Sequence, residues 1–382
     1  MSKYLMETIS KWSKEKPFYS KLITCKELTP PQSKKKTLHI SLSLENSQIT
    51  YRPGDCIGIL PTNSSFEVQR IIEILGNPNI ESPYTGECLS LESFLLTKAN
   101  ISSVSKKLIQ HLVDIQRSDT KKEELQNILS DKQIFKELIP TYRLWDFLEQ
   151  YSSPSLEAQD LANKLTRLLP RLYSIASSQK HVGNEVHLTV ALVDYTNQNK
   201  QRLGVCSRFL YKCDNKQPIP IYLQKTRDFL LPENPSVDLI MIGPGTGIAP
   251  FRAFMQDRLI QNAQGKHWLF FGDWHEKEHF YYREEWLHLV KNKKLRLNTA
   301  FSRDQDQKIY VQDKMKEHSQ ELWQWLQNGA CLYVCGDASK MAKDVDLALQ
   351  EIAQIEGYLS ADDAKAYLKQ LRKEHRYLRD IY

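Results

Sequence analysis

Little in this sequence commits it to a membrane, a cell exterior or a nucleic acid. No apolar run approaches the length needed to span a bilayer. The first twenty residues, MSKYLMETISKWSKEKPFYS, have no apolar core of the kind a secretory signal requires. The seven cysteines are odd in number and scattered. Only Cys331 and Cys335 are close, and their spacing is not that of a zinc knuckle. Such thiols are expected to be free, in a reducing cytoplasm. The formal net charge of +6 over 382 residues is too small to suggest a general affinity for nucleic acid. Basic residues clustered locally can still serve an anionic cofactor or an acidic partner. Neither internal repeats nor low-complexity tracts occur.

What is present is globular. Hydrophobic residues make up 41% and charged residues 26% of the chain, and its length suits two domains with cores of their own. Thr37–Leu44 alternates polar and apolar, as a half-buried strand does. Tyr51-Arg-Pro-Gly-Asp55 reads as a turn feeding the apolar run Cys56–Leu60. From about residue 66 to 169 the texture becomes helical, with 3.6-residue periodicity clear in Glu67–Leu75 and Lys106–Val113. Strand-like segments return at Arg171–Ser177 and Glu185–Tyr195. Beyond Pro232 the pattern is strand, helix, strand. Val237–Ile242, His267–Phe271, Leu295–Phe301 and Cys331–Cys335 are apolar runs suited to a sheet buried on both faces, and Glu321–Leu326 and Met341–Ile355 are helical. The expected architecture is therefore a β-rich half with a helical insertion, then a doubly wound parallel α/β half.

The clearest local motif is Ile242-Gly-Pro-Gly-Thr-Gly-Ile-Ala-Pro-Phe251, which follows a buried strand and opens a helix. Glycines at 243, 245 and 247 let backbone N–H groups approach a pyrophosphate, and a helix N-terminus favours negative charge. The spacing is neither that of the usual dinucleotide fingerprint nor that of a nucleoside-triphosphate loop. A tight turn of purely structural use is the competing reading. Downstream, Ser302-Arg303 with Lys308, Tyr310 and Gln312 combine a hydroxyl, a guanidinium fork, an ammonium and an aromatic face. These suit a phosphate monoester beside an adenine, hence NADP(H) over NAD(H). A solvated charged loop would contain the same residues. His275-Glu-Lys-Glu-His279 also matches the H-E-x-x-H pattern of zinc hydrolases, but it follows a strand directly and has no evident third ligand.

Six segments in order carry a more specific signal: Arg171–Ser178 (RLYSIASS), Gly204–Ser207 (GVCS), Gly243–Phe251, Ser302–Gln312, Tyr333–Asp337 (YVCGD) and the terminal Arg379-Asp-Ile-Tyr382. Together they resemble the ferredoxin-NADP reductase module of the diflavin reductases, and most of all the flavoprotein subunits of bacterial NADPH sulfite reductases. The resemblance runs from about Tyr19 to Tyr382. It implies an antiparallel β-barrel FAD-binding domain over 19–231, with its helical insertion at about 66–169. An NADP(H)-binding domain over 232–382 follows, and residues 1–18 form an extension. By the same resemblance Arg171, Leu172, Tyr173, Ser174, Thr189, Val190, Ala191, Tyr195, Gly204, Val205, Cys206, Ser207 and Tyr382 contact FAD. Gly245, Thr246, Ser302, Arg303, Lys308, Ile309, Tyr310, Val311, Gln312 and Asp344 contact NADP(H). Ser174, Cys335, Asp380 and Tyr382 surround the hydride-transfer centre, with Tyr382 as the aromatic that covers the flavin and must move. No metal is expected. The family's flavodoxin-like FMN domain has no counterpart here, which implies an acceptor supplied by another polypeptide: an FMN-bearing flavodoxin-like protein, or a haem or sirohaem reductase subunit. A zinc hydrolase built on His275, Glu276 and His279, and a non-catalytic nucleotide-binding subunit, are the alternatives. The second of these has no need of Ser174, Cys335 and Asp380.

Overall fold

The structure, a computed structural model, describes residues 11–197, 200–214 and 216–382. The first ten positions of the expected N-terminal extension lie outside it. The described chain divides into two compact units. One comprises residues up to 58, 172–192 and 214–382, and the other comprises 59–171 and 193–213.

The larger unit contains a five-stranded parallel sheet in the order Arg296–Phe301, His267–Asp273, Leu239–Ile242, Cys331–Gly336, Tyr377–Ile381. Side chains alternate across a strand, so each strand supplies both faces. Ile240, Ile242, Trp268, Phe270, Leu332 and Val334 join one buried cluster with Val345, Leu349 and Ile352 of the Met341–Glu356 helix. Leu239, Met241, Leu269, Phe271, Tyr333 and Cys335 join the opposite cluster with Phe251 and Phe254 of the Ala249–Ile260 helix. This double burial explains why the inner strands read as nearly continuous apolar runs, whereas Arg296–Phe301 is an edge strand and half-buried along most of its length. The fifth, Tyr377–Ile381, escaped the sequence reading. It is an edge strand, and Arg379 and Asp380 interrupt its apolar character.

Most residues of two antiparallel sheets lie in the same unit. Glu185–Ala191, Thr37–Ser43 and Leu22–Glu27 form one sheet, and Phe18–Ser20, Ile219–Gln224, Cys56–Ile59 and Arg171–Ser174 form another. A single bridge, Ile175 to Leu188, links them. The expected continuous strand Glu185–Tyr195 stops at Ala191, and a separate hairpin strand begins at Asp194. The smaller unit carries the helices that periodicity indicated within 66–169, among them Ser65–Leu75, Lys106–Ile115 and Leu144–Tyr151, closed around one apolar core.

Arg252, on the helix after the glycine turn, knits the larger unit together. Its guanidinium pairs with Glu285 through bonds of 2.7 and 2.9 Å and donates to the Ala176 carbonyl at 2.8 Å. It also donates to Nδ1 of His187 at 3.3 Å, while Nε2 of that ring faces Glu185 at 3.1 Å. His187 lies edge-on to His39. Burial, with Arg252 beside it, pushes His187 down to about 4, and burial, with His187 and Arg252, does the same to His39. Burial also holds His267 near 4; its ring accepts from Arg258 at 3.1 Å and faces the Lys294 carbonyl at 3.0 Å.

These three rings are therefore neutral in the folded chain at pH 6, where an unfolded histidine is partly charged. The unfolded state binds more protons between about pH 6.5 and 4, so stability is lost as the pH falls through that window. Each ring contributes on the order of 1 kcal/mol per pH unit. Tm measured by calorimetry is expected to drop between pH 7 and 5, and His187→Gln to flatten the drop. A Tm independent of pH over that interval would refute the assignment.

Candidate active site

In an open doubly wound sheet the ligand crevice lies at the carboxyl ends of the strands, where the strand order reverses. Here that point falls between Leu239–Ile242 and Cys331–Gly336. The glycine turn leaves the first of these strands. A Cβ on Gly247 would lie 2.1 Å from the Cys335 carbonyl oxygen, so only glycine lets the turn pack against the neighbouring strand end. Gly245 adopts φ +59°, a conformation natural to glycine. The turn is thus both structural and placed at the crevice, which merges the two sequence readings.

Beside it lies a cleft of about 440 Å³. Of the candidate NADP(H) contacts, Gly245, Ser302, Arg303, Lys308, Tyr310, Val311, Gln312 and Asp344 line it. Thr246 sits one residue along the turn, within Gly245–Ile248, and Ile309 packs against the sheet's core instead. The turn after Phe301 is tied down through the backbone: Ser302 donates its N–H to the Asp273 carbonyl and Arg303 to that of Trp274, both at 2.9 Å. Lys35 and Trp274 also line the cleft and were missed. Lys35 lies in a run of three lysines that looks like solvated surface. The structure reaches it across the unit to Asp273, whose carboxylate it meets at 2.7 and 2.8 Å. With Asp273 matched by Lys35, the cations Arg303, Lys308 and Lys340 outnumber the carboxylates Asp337 and Asp344, which leaves the lining mildly attractive to a phosphate.

The candidate hydride-centre residues Ser174, Cys335 and Asp380 come together at the edge of the sheet. Cys335 and Asp380 are register partners on adjacent parallel strands. Ser174, at the end of an antiparallel strand, donates its hydroxyl to Asp380 Oδ2 at 2.5 Å, and the Cys335 thiol points at the same oxygen from 3.7 Å. Burial raises the Asp380 carboxyl above its ordinary value, and the bonds from Ser174 and Cys335 pull the other way. Burial and the neighbouring Asp380 raise the Cys335 thiol well above its usual range. Cys56 belongs to this cluster too, pushed up to about 12 by burial and Asp380; it carried no sequence signal. Tyr382 is held by its backbone N–H to the Gly336 carbonyl at 3.1 Å and by its phenol to Thr246 at 2.9 Å, yet 61% of it is exposed.

The candidate FAD contacts divide between the two units. In the larger unit, Leu172 is exposed and Tyr173 half-buried, Val190 is in the core, and Ala191 ends its strand. The Thr189 hydroxyl meets that of Tyr282 at 2.7 Å. In the smaller unit, Arg171 and Tyr195 are exposed, and Gly204 precedes the helix Val205–Lys212. A Cβ on Gly204 would lie 2.7 Å from Val193 Cβ and 2.8 Å from Ser207 Oγ. Cys206 and Ser207 are buried, and Ser207 accepts from the Val193 N–H at 3.1 Å. Sequence reasoning missed the residues that set this turn. Buried Asp146 pairs with Arg202 and with Lys200 at 3.2 Å, and Arg143 donates to the Leu203 carbonyl at 2.7 Å. A bare glycine at the start of a helix fits a pyrophosphate.

The two histidines of the H-E-x-x-H segment do not form a metal pair. His275 bonds Asp304 at 2.8 Å, and buried His279 bonds Ser33 at 3.0 Å. Among the described residues no group of three or more His, Cys, Asp or Glu is placed to hold a metal ion, and no helix is long and apolar enough to cross a membrane.

Residues 10–209 match the FAD binding domain family, and residues 241–346 match the oxidoreductase NAD-binding domain. Curated relatives include the "Sulfite reductase [NADPH] flavoprotein alpha-component" of Vibrio cholerae, 41% identical over 98% of this chain and 60% of the relative. The proteins of the same name from Vibrio parahaemolyticus and Shewanella oneidensis are 40% and 41% identical over 98% of this chain, and over 60% and 62% of their own lengths. The chain thus spans about three-fifths of the relatives it matches.

Thiol chemistry checks the site without any cofactor. Cys88 is exposed, whereas Cys335 is buried with its thiol pKa raised. Each pKa unit removes tenfold of the reactive thiolate. In the native protein at pH 8, iodoacetamide is expected to label Cys88 at least about a hundredfold faster than Cys335 by peptide mass spectrometry. Comparable rates would place Cys335 outside a closed centre.

Proposed function

The chain belongs to the FAD-binding-domain family, and from that premise we propose that it is an NADPH-dependent flavoprotein reductase delivering single electrons to an acceptor protein. The observation that carries this reading is the convergence of Ser174 and Cys335 on Asp380, beside the glycine turn and under the terminal Tyr382. Bound NADPH supplies a hydride, and bound FAD accepts the pair and releases electrons one at a time.

The chain's own residues then have defined tasks. Ser302, Arg303 and Lys308 grip the 2′-phosphate, and the exposed Tyr310 offers a face to the adenine. Arg171 and the Gly204–Ser207 turn would hold the FAD pyrophosphate, and Tyr173 would offer the flavin an aromatic face. Ser174 has one hydroxyl proton, now given to Asp380. When an acceptor atom arrives beside it, Ser174 can turn that proton over, and Asp380 can take one up, because burial raises its pKa. Cys335, a neutral thiol, adds a soft wall and a weak donor.

Tyr382 is a gate. Its phenol is held by one side-chain hydrogen bond, from which a release costs on the order of 1 kcal/mol. A hold that weak suits a residue displaced in every turnover.

The functional division follows the resemblance, with FAD on 19–231 and NADP(H) on 232–382. Relatives are named as the alpha-component of an NADPH sulfite reductase. We extend that to an acceptor of related kind, either an FMN-bearing flavodoxin-like protein or a haem or sirohaem reductase subunit. The free cysteines suit a cytoplasmic setting.

Purified protein is expected to be yellow, or to become so with FAD, and to bleach on anaerobic addition of NADPH. Ser174→Ala and Asp380→Asn should retain FAD but bleach about a hundredfold more slowly, the scale of lost proton management. A protein that never takes up FAD, or variants that bleach at the wild-type rate, would overturn the assignment. Deleting Tyr382 should tighten NADP(H) several-fold in equilibrium titrations and shift the NADPH/NADH preference, and unchanged values would remove the gate.

A further inference from the structure

Trp274 has no part in the reading above, although it lines the same cleft. Its ring carries the Arg303 guanidinium carbon 3.5 Å from the ring centroid, and Lys35 Nζ lies 5.6 Å from the same centroid. An exposed arginine ordinarily samples many rotamers, and a phosphate must collect it from them. Stacking on the indole leaves all five guanidinium N–H donors at the edge of the plane, free to grip a phosphate in bidentate fashion. The backbone makes the pairing rigid, because the Arg303 N–H donates to the Trp274 carbonyl at 2.9 Å.

The shelf itself is buttressed by the two histidines that failed as a metal site. The Trp274 ring meets His279 edge-on at 5.8 Å, and His279 is buried and bonded to Ser33. His275 and the Glu276 N–H hold the two oxygens of Asp304 at 2.8 Å each, pinning the residue after Arg303 to the turn after Trp274. On the cleft's other side, Lys35 is fixed by Asp273, whose Oδ1 also accepts the Trp274 N–H at 2.7 Å.

We propose that Trp274 is a specificity-determining positioning residue, an aromatic shelf that pre-orients Arg303 for the phosphate distinguishing NADP(H) from NAD(H). This inference rests on the cleft being the 2′-phosphate site, and the experiment separates the two. The full chain with FAD is titrated calorimetrically with 2′,5′-ADP and with 5′-AMP, which lacks the 2′-phosphate. Trp274→Ala is expected to raise the Kd of 2′,5′-ADP about tenfold, the scale of a partly desolvated cation–π contact, and that of 5′-AMP by less than about twofold. Trp274→Phe keeps a ring face and should restore most of the selectivity, which a purely structural role would not predict. Equal weakening of both ligands by Trp274→Ala, or a Phe variant no better than Ala, overturns the shelf. Arg303→Gln tests the underlying reading. If it preserves selectivity for 2′,5′-ADP, the cleft is not the 2′-phosphate site. If it abolishes selectivity and Trp274→Ala does not, the shelf alone fails.

Discussion

The Asp380 carboxyl is the point on which the candidate chemistry depends. It sits on the edge strand of the parallel sheet, yet its hydrogen-bond donors come from two different sheets. Ser174 ends an antiparallel strand, and Cys335 lies on the neighbouring parallel strand. A buried carboxyl is costly without such donors, so the cluster specifies its own geometry. Two residues later the chain ends in Tyr382, laid over the glycine turn by the Gly336 carbonyl and Thr246. Placing Asp380 therefore also places Tyr382, the candidate gate.

The nucleotide cleft follows a different logic. Its cations are brought together and then held still by neighbours that have no chemistry of their own. Asp273 fixes Lys35, and Trp274 fixes Arg303. The turn before the helix Val205–Lys212 uses the same device, with buried Asp146 holding Arg202 and Lys200. In each case one anionic or aromatic group fixes the cations beside it in the folded chain.

The resemblance to a sulfite reductase flavoprotein also reinterprets the H-E-x-x-H segment. Its spacing invites a metal, but the rings are committed to Asp304 and Ser33. Two histidines at i and i+4 share a helix face only when the helix extends past them, and here it comprises only Glu276–His279. Their role is mechanical support for the turn that carries Arg303.

The sequence by itself determined the first four strands of the parallel sheet and the glycine turn, and it singled out many of the residues that line the cleft beside that turn. Double burial writes an inner strand as a nearly unbroken apolar run, and the glycines and cations of the turn and cleft are grouped at short, local spacing. Tertiary structure alone decided the rest. Tyr377–Ile381 is a strand because Cys331–Gly336 pairs with it, not because of its own composition. Lys35 and Trp274 join one cleft from positions 239 residues apart, and Cys56 joins Ser174 and Asp380 from 118 residues before the first of them. Hydrogen bonds and stacking between such distant residues leave no periodicity or spacing in the chain. They exist only once the backbone has brought the groups within a few ångströms.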